Sequence, residues 1–333
     1  MERSERTRVF LTGASGCIGQ YIAEALIEQT DCELFLFLRD PAKLAIDPDR
    51  RDGVHIIVGD LNDIGQHADL LTTMHCAILT AAAWGGAATT HDINVSRTLQ
   101  LVNLLDPAVC DRVIYFSTAS LLDRGGEILR EAAHFGTDYI RTKYDALSQI
   151  RRSPLADRLT VLFPTLVWGG DDRKRQSHLN AGLPEIFKWS WLLRFIKLDG
   201  SFHNIHARDI AQVVTHLVTQ PDREYAPQSW VLGGKPYSVN DALAEICRYC
   251  GQSVGFRVEL RSWLLEAVIK IFNIQLASWD RFCLDYRHFV YDGAIDPAKL
   301  GMVPFCASLS DIFEVSSVPK QDTIEQANEP NEP

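Results

Sequence analysis

The chain lacks several features that would place it in other protein classes. It has no apolar stretch of about 18 residues, so no transmembrane helix is expected. Basic residues are outnumbered, with 33 Lys and Arg against 43 Asp and Glu and a formal net charge of −10, which argues against a nucleic-acid partner. Residues 1–6 are charged and contain no apolar signal-peptide core, so a cytoplasmic location is expected.

Cysteine usage excludes two further classes. The eight cysteines are scattered, mostly in apolar segments, as expected for reduced and buried thiols. Cys247 and Cys250 form one C-x-x-C pair, with no second pair or nearby histidine to complete a metal site. The sequence therefore predicts neither a disulfide framework nor a bound metal.

What is present is an alternation of short apolar segments with helical patterns. Length and a hydrophobic content of 46% suit one large domain, or one domain with a smaller lobe. The apolar segments do not alternate with polar residues, so helices should cover both faces of a doubly wound parallel α/β sheet. The predicted strands are 8–12, 33–38, 54–58, 75–80, 111–117 and 158–163, and the clearest helices between them are 17–29, 91–105 and 138–152.

The pattern changes after Pro164. Segments become longer, less regular and richer in Trp and Phe. Residues 1–164 are therefore predicted to form the doubly wound sheet domain, and 165–315 a smaller α/β lobe interleaved with it. The polar end, 316–333, is expected to be disordered. Helices are predicted at 183–197, 208–219, 239–250 and 262–274, and strands at 229–232 and 254–259.

A glycine-rich loop between the first strand and first helix predicts the ligand. The strand ends at Thr12, and Gly13, Gly16 and Gly19 follow with the spacing G-x-x-G-x-x-G. Glycines let the backbone approach a phosphate, and the following helix N-terminus offers unpaired N–H groups and a positive dipole end. This position at a strand-to-helix junction indicates a pyrophosphate-binding loop rather than a chance glycine turn.

The end of the second strand bears on the choice between NAD and NADP. Arg39 ends that strand, with Lys43 nearby, and a guanidinium suits a 2′-phosphate. The sequence thus favours NADP over NAD, although Asp40 would suit a ribose hydroxyl. Arg39 capping an exposed edge is the alternative interpretation. After the third strand, Asp60 is predicted to accept from the adenine amino group, or to cap the next helix.

Tyr139 and Lys143 are the candidate catalytic pair. Their i, i+4 spacing places both side chains on one helix face. A nearby ammonium would lower the pKa of the tyrosine from its ordinary value of about 10 toward the working range of a general acid–base. Thr118, just past the fifth strand, is expected at the carboxyl edge of the sheet, where it would contact the same substrate oxygen.

Together these motifs resemble the extended short-chain dehydrogenase/reductase family, also called NAD-dependent epimerase/dehydratase. The match runs from about residue 8 to 314 and includes Ala81-Ala82-Ala83, Asn94-Val95, Pro164–Gly169, Asn204–Asp209, Trp230–Gly234 and Pro297–Gly301. The resemblance implies that Tyr139 is the acid–base, that Lys143 holds the nicotinamide ribose and that Thr118 orients the substrate oxygen. The dinucleotide-binding residues it implies are Thr12, Gly13, Ser15, Gly16, Cys17, Ile18, Gly19, Arg39, Lys43, Asp60, Leu61, Ala81, Ala82, Ala83, Asn94, Tyr139, Lys143, Pro164 and Val167.

Departures from the family pattern bear on the substrate. The arginine that nucleotide-sugar enzymes of the family carry before the Asn204–Asp209 segment is missing from 200–204. The later segments 187–196 and 263–272 are unusually apolar and aromatic, which fits core packing, a dimer face, a greasy pocket or a peripheral membrane contact. A resemblance to the 3β-hydroxysteroid dehydrogenase and dihydroflavonol reductase branches of the family agrees with an apolar pocket.

Three functions remain open from the sequence. The first is an NADP- or NAD-dependent oxidoreductase acting on a largely apolar ketone or secondary alcohol. The second is an epimerase or dehydratase of a sugar derivative that keeps its nicotinamide bound; Ala119-Ser120 after Thr118 disfavours dehydration. The third is a sensor or assembly protein without turnover, which the presence of both Tyr139 and Lys143 disfavours. A small-molecule substrate and a possible homodimer complete the expected partners.

Overall fold

A parallel sheet forms from the short apolar segments because Val, Ile, Leu and Phe suit strands that are covered on both faces. The computed structural model describes residues 6–220, 228–260 and 275–316. Seven strands lie in the order β11-β6-β5-β4-β1-β2-β3, all paired in parallel. They are β1 Arg8–Thr12, β2 Glu33–Leu38, β3 Val54–Val58, β4 Cys76–Leu79, β5 Arg112–Phe116, β6 Leu159–Pro164 and β11 Gln228–Leu232.

This order confirms the predicted doubly wound α/β fold. Strand order reverses between β1 and β4, and a crevice opens at such a switch point beyond the carboxyl ends of the strands. One part of the expectation is wrong. β3 is an edge strand whose residues are all at least partly exposed, including Val58 at 58%, so it is not covered on both faces. Its position leaves it only one strand neighbour, β2.

Twelve helices belong to the described residues. They are α1 Cys17–Gln29, α2 Ala68–Leu71, α3 Ala87–His91, α4 Thr98–Leu104, α5 Arg130–Phe135, α6 Asp138–Ile150, α7 His178–Lys188, α8 Ser190–Leu193, α9 Ala207–Thr219, α10 Val239–Tyr249, α11 Ser278–Tyr286 and α12 Leu309–Val315. Short 3₁₀ turns at Pro41–Lys43, Leu61–His67 and Ala119–Leu121 follow strand ends. None of the described helices has the length and apolar character needed to cross a membrane.

Two predicted helices differ from those observed. The predicted helix 91–105 begins earlier, at Ala87, and passes through a π-helical stretch, Asp92–Arg97, before α4. The predicted helix 183–197 instead begins at His178, because the Ser177 side chain accepts a hydrogen bond from the Asn180 N–H and caps it. That helix ends at Lys188 and resumes as the one-turn α8. The predicted helix 262–274 lies outside the described residues.

Each face of the sheet carries its own apolar core. On one face α1 and α9 pack against each other and against the sheet, burying Ile22, Leu26, Ile210 and Val214 completely. The other face packs α4 and α6 over Phe10 and Tyr115. Because α9 and β11 follow Pro164 in the chain yet belong to these layers, the later half is interleaved with the sheet.

Apart from β11, the short strands described after Pro164 form small ladders outside the main sheet. Strands β7 Leu166–Trp168 and β10 Asn204–His206 pair in parallel. Strands β12 Tyr237–Ser238, β9 Ser201–Phe202 and β14 His288–Phe289 form a second ladder, and β8 Ile196–Lys197 pairs with β13 Val258–Glu259. The predicted strand 254–259 is thus reduced to two residues. Of the tail predicted to be disordered, only Ser316 is described, and it is buried.

Candidate active site

The glycine loop adopts a conformation that its first glycine makes possible. Gly13 has φ +71°, a region that side chains disfavour, and a Cβ there would lie 2.9 Å from the Ala81 nitrogen. The Gly16 N–H donates to the Gly13 carbonyl at 2.8 Å and closes the turn. A Cβ on Gly19 would collide with the Gly13 backbone, so this glycine lets the helix pack directly against the loop.

The N-terminus of α1 is free to bind an anion. Gly16 caps the helix without a side-chain hydrogen bond, and the first turn contains no acidic residue. The first N–H groups of the 13-residue helix therefore lack intrahelical partners and lie at the positive end of the helix dipole. Burial raises the pKa of the Cys17 thiol to about 12, so this cysteine stays protonated in the loop. The cradle fits the pyrophosphate of a dinucleotide.

Strands β1 and β4 are joined above the loop by threonine hydroxyls. Thr80 donates to the Thr12 carbonyl at 2.6 Å, and the Ala81 N–H donates to the Thr12 hydroxyl at 3.3 Å. Further on, Asn94 holds Ala83 at both ends, accepting from its N–H at 2.8 Å and donating to its carbonyl at 3.2 Å. Asn94 thus fixes Ala83, the last residue of the segment Ala81-Ala82-Ala83 that follows β4.

At the end of β2, the three charged residues are in different situations. Arg39 is 80% exposed in its side chain and lies 3.8 Å from an Asp60 oxygen. Asp40 accepts from the Ala42 N–H at 3.1 Å and pairs with Lys43 at 3.4 Å, so it caps a turn beside that lysine. Arg39 is therefore the most accessible cation of this group.

Asp60 takes the capping position that the sequence offered as an alternative. It accepts from the Asn62 N–H at 2.9 Å at the start of the Leu61–His67 turn. Leu61 is buried and holds this turn against the sheet. A cap does not use every carboxylate oxygen, so the adenine role of Asp60 stays a prediction.

Thr118 lies at the carboxyl end of β5, as predicted. Its hydroxyl accepts from the Ser120 N–H at 3.3 Å and caps the Ala119–Leu121 turn. The preceding Ser117 hydroxyl is buried and has no hydrogen-bond partner among the described residues. Tyr291, which the sequence did not indicate, donates to the Ala119 carbonyl at 2.8 Å and brings the later half of the chain to this edge.

Strands β6 and β7 close another side of the crevice. Pro164 ends β6, and Val167 lies in the centre of β7. Beyond β7, a Cβ on Gly169 would lie 3.1 Å from the Cys17 sulfur. The segment after Val167 therefore leans on the start of α1, next to Ser15 and Ile18.

Tyr139 and Lys143 lie on one face of α6, as the spacing predicted. Lys143 is only 2% exposed, and its ammonium donates to the Phe116 carbonyl at 2.7 Å. The same nitrogen lies 5.8 Å from the centre of the Tyr139 ring and 4.9 Å from that of Tyr115. The helix thus places both groups over the carboxyl end of β5, beside Thr118.

The predicted pKa effect of Lys143 on Tyr139 is wrong for the chain alone. Burial raises the pKa of the Tyr139 hydroxyl above its ordinary value. Burial also lowers the pKa of Lys143 to about 7, so the lysine is only partly charged near neutrality. Desolvation is the cause of both shifts, and the ammonium is directed at the Phe116 carbonyl.

Trp84 is the site residue that sequence analysis missed. Its indole stacks on the Tyr139 ring, with 3.7 Å between centroids and 12° between planes, and lies 5.1 Å from the His178 ring. The sequence signal was the bulky aromatic residue placed directly before two glycines, just after the crevice segment Ala81-Ala82-Ala83.

Comparison with known proteins agrees with this geometry. The sequence model of the NAD dependent epimerase/dehydratase family matches residues 9–233, about two thirds of the chain. The chain belongs to this family. The resemblance to extended short-chain dehydrogenase/reductases is thereby confirmed, as is the prediction of an enzyme that uses a nicotinamide dinucleotide, whereas the preference for NADP over NAD stays a prediction. A comparison with curated proteins finds no significant sequence match.

Solved structures of similar fold include three examples. The gox2253 structure has a TM-score of 0.69 and 17% identity, over 97% of this chain and 99% of that chain. The Bordetella bronchiseptica enzyme WbmG in complex with NAD has a TM-score of 0.64 and 16% identity, over 95% and 94%. DesIV, a dTDP-glucose 4,6-dehydratase from Streptomyces venezuelae with NAD and TYD bound, has 0.63 and 15%, over 93% and 96%. At these identities the likeness concerns the fold.

Proposed function

We propose that this family member is an NADP- or NAD-dependent oxidoreductase that transfers a hydride between nicotinamide and a largely apolar ketone or secondary alcohol. The observation that carries the proposal is that Tyr139 and Lys143 lie on one face of α6, with the Lys143 ammonium held by the Phe116 carbonyl at the carboxyl end of β5, two residues before Thr118. A phenol and a buried lysine in this position suit proton transfer at a carbonyl oxygen.

In this mechanism each side chain has a separate task. The bound nicotinamide supplies or accepts the hydride. The Tyr139 hydroxyl donates its proton to the substrate oxygen as negative charge develops there, and takes it back in the reverse direction. Thr118 donates a hydrogen bond to the same oxygen and positions it. Lys143, fixed by the Phe116 carbonyl, binds the ribose hydroxyls and, when protonated, stabilises the phenolate.

The residues of the crevice would hold the dinucleotide in two groups. The loop from Thr12 to Gly19, with Ser15, Cys17 and Ile18, would bind the pyrophosphate at the start of α1. Arg39 supports a preference for NADP, since its guanidinium is exposed at the end of β2 and is suited to pair with a 2′-phosphate. Pairing of Lys43 with Asp40 weakens the contribution expected from that lysine.

A specific observation favours a second candidate, an epimerase or dehydratase acting on a nucleotide sugar. A cavity of about 760 Å³ adjoins Tyr291 and is lined in part by Lys235 and Lys299, cations that suit a phosphate group, while Arg124 at its edge is paired with Asp292 at 3.2 Å. WbmG has also been solved with NAD and UDP, and a similar fold belongs to a UDP-glucuronic acid 4-epimerase from Bacillus cereus. Against it stands the missing arginine in 200–204.

One experiment separates the two candidates. Freshly purified protein is denatured, and any released dinucleotide is identified by mass spectrometry. An oxidoreductase exchanges its cofactor, so we expect empty protein or traces of NADP, and NADPH oxidation with apolar ketones. Stoichiometric NAD in the released fraction would instead favour the cofactor-recycling epimerase and contradict the role given to Arg39.

We further propose the finer organisation expected from the sequence. A Rossmann domain of residues 1–164 and a substrate lobe of 165–315 would enclose the site, in a cytoplasmic homodimer. Light scattering after size exclusion tests the dimer directly. A mass of one chain, 37.4 kDa, across micromolar concentrations would reject it.

A further inference from the structure

Trp84 covers the aromatic face of Tyr139, the residue that is proposed to transfer the proton. The two rings are nearly parallel at 3.7 Å, so no substrate fits between them while they are stacked. Trp84 nevertheless remains 58% exposed, which means that the indole is not packed into a core. It covers Tyr139 while much of its own surface faces solvent.

The chain after Trp84 is not closely packed. Gly85 and Gly86 have φ values of +87° and +79°, a region that glycine adopts without strain. A Cβ on either glycine would meet no atom within 4 Å, and the Thr90 N–H donates to the Gly86 carbonyl at the start of α3. These glycines leave room beside Trp84, so its exposed indole can turn away from Tyr139 about its own side-chain torsions without disturbing the sheet.

The chain before Trp84 is firmly anchored. Ala83, immediately before Trp84, is held by two hydrogen bonds to Asn94, which also donates to the Thr142 hydroxyl of α6 at 3.1 Å. Trp84 thus pivots from a fixed point beside the same helix that carries Tyr139. Its other neighbour, His178, is exposed on the first turn of α7.

We propose that Trp84 is a specificity-determining residue: its indole shields Tyr139 in the free enzyme and moves to stack on a flat, apolar face of the substrate. The inference rests on the proposed oxidoreductase function. Aromatic rings favour flat apolar partners at this distance, so a planar ketone gains a contact that a small aliphatic ketone does not. Trp84 then selects among substrates because its indole leaves Tyr139 and stacks on the substrate instead.

The first test compares ketones of different shape with NADPH as the reductant. In Trp84→Ala, kcat/KM for the flat ketone 1-indanone should fall by about fivefold, and that for 2-butanone should stay equal or rise. Trp84→Phe, which keeps a stacking ring, should retain most of the preference. Trp191→Ala is the matched control, because Trp191 is similarly exposed at 51% but lies in α8. An equal fall for both ketones would overturn the proposal.

The second test needs no turnover and separates this proposal from the proposed function. Nitration of tyrosines by tetranitromethane, mapped by peptide mass spectrometry, reports access to each ring. Tyr139 should react several-fold faster in Trp84→Ala than in the native protein, whereas Tyr144 on the same helix should not change. If the native protein reduces neither ketone, the proposed oxidoreductase function is wrong. The nitration rates then still show whether Trp84 shields Tyr139. Unchanged reactivity of Tyr139 would overturn it.

Discussion

The sheet region and the later small ladders differ in how strongly their sequences specify their structure. Strands β1, β2 and β3 begin and end at the residues predicted for them, and β4 and β5 within one residue at either end. After Pro164, α9, α10 and β11 also match their predictions within one residue, but the predicted helix 183–197 starts five residues early and is divided into α7 and α8. Strands β8, β9, β12, β13 and β14 contain only two residues each.

Burial explains this difference. A central strand such as β6 is buried along its whole length, so every residue but Thr160 is apolar and the pattern is unambiguous. The later ladders are only partly covered, and aromatic side chains such as Trp189, Phe195 and Phe256 remain exposed. Apolar residues there no longer report a core, and pattern alone does not identify the element. The chemistry assigned to the site belongs almost entirely to the well-specified region.

The largest expected effect tests that assignment. Tyr139→Phe removes the proton donor while keeping the ring, so kcat should fall by about 10³-fold. Turnover is measured by NADPH oxidation with the ketones above, and circular dichroism checks the fold. Tyr144→Phe, on the same helix, should leave kcat unchanged. Full turnover in Tyr139→Phe would show that another residue transfers the proton, so the assignment of the catalytic residue to the well-specified region would be wrong.

Two glycine substitutions compare the regions directly. Gly13→Ala forces a side chain into positive φ and against the Ala81 nitrogen, which should lower the free energy of unfolding by about 3 kcal/mol. Gly182→Ala, in α7, meets no atom within 4 Å and should instead raise it by up to about 1 kcal/mol. Urea denaturation measures both. A tolerated Gly13→Ala would show that the loop does not need its glycine.

The buried lysine predicts a pH-dependent stability. The pKa of Lys143 is lowered from 10.5 to about 7, so the unfolded chain binds its proton at higher pH than the folded chain does. Stability of the native protein should therefore fall as pH drops from 10.5 toward 7. Lys143→Met cannot bind this proton. Its free energy of unfolding minus that of the native protein should therefore increase by up to about 2.7 kcal/mol when the pH is lowered from 9 to 7.

Urea denaturation at the two pH values, without dinucleotide, measures this difference. Lys188→Met is the control from the later region, since the Lys188 side chain is 68% exposed. A pH dependence in the control as large as that in Lys143→Met would mean that burial of Lys143 is not the cause.

The smallest effect concerns cofactor choice. Arg39→Ala should raise KM for NADPH about tenfold and leave KM for NADH nearly unchanged, because only the 2′-phosphate loses a partner. Initial rates with both dinucleotides measure the ratio. Arg50→Ala, an exposed arginine paired with Glu28, is the control and should change neither value. An equal change for both dinucleotides would remove Arg39 from 2′-phosphate recognition.

Much of the candidate site was readable from the sequence because its parts are local. The glycine spacing, the Tyr139–Lys143 pair and the position of Thr118 each follow from a few neighbouring residues and the strand or helix that carries them. Trp84 and Tyr291 were not found, since their contacts, with Tyr139 and with the Ala119 carbonyl, join segments far apart in the chain. No local pattern encodes such contacts.

The sequence by itself determined the parallel sheet, the pyrophosphate loop and the family, because apolar strands and glycine spacing are imposed by backbone geometry and burial. Only the tertiary structure decided the protonation of the site. It buried Lys143 against the Phe116 carbonyl and thereby lowered the pKa of the lysine, whereas the i, i+4 spacing alone had suggested a permanent charge beside Tyr139. Desolvation depends on everything packed around a group, and that environment forms only when distant segments come together.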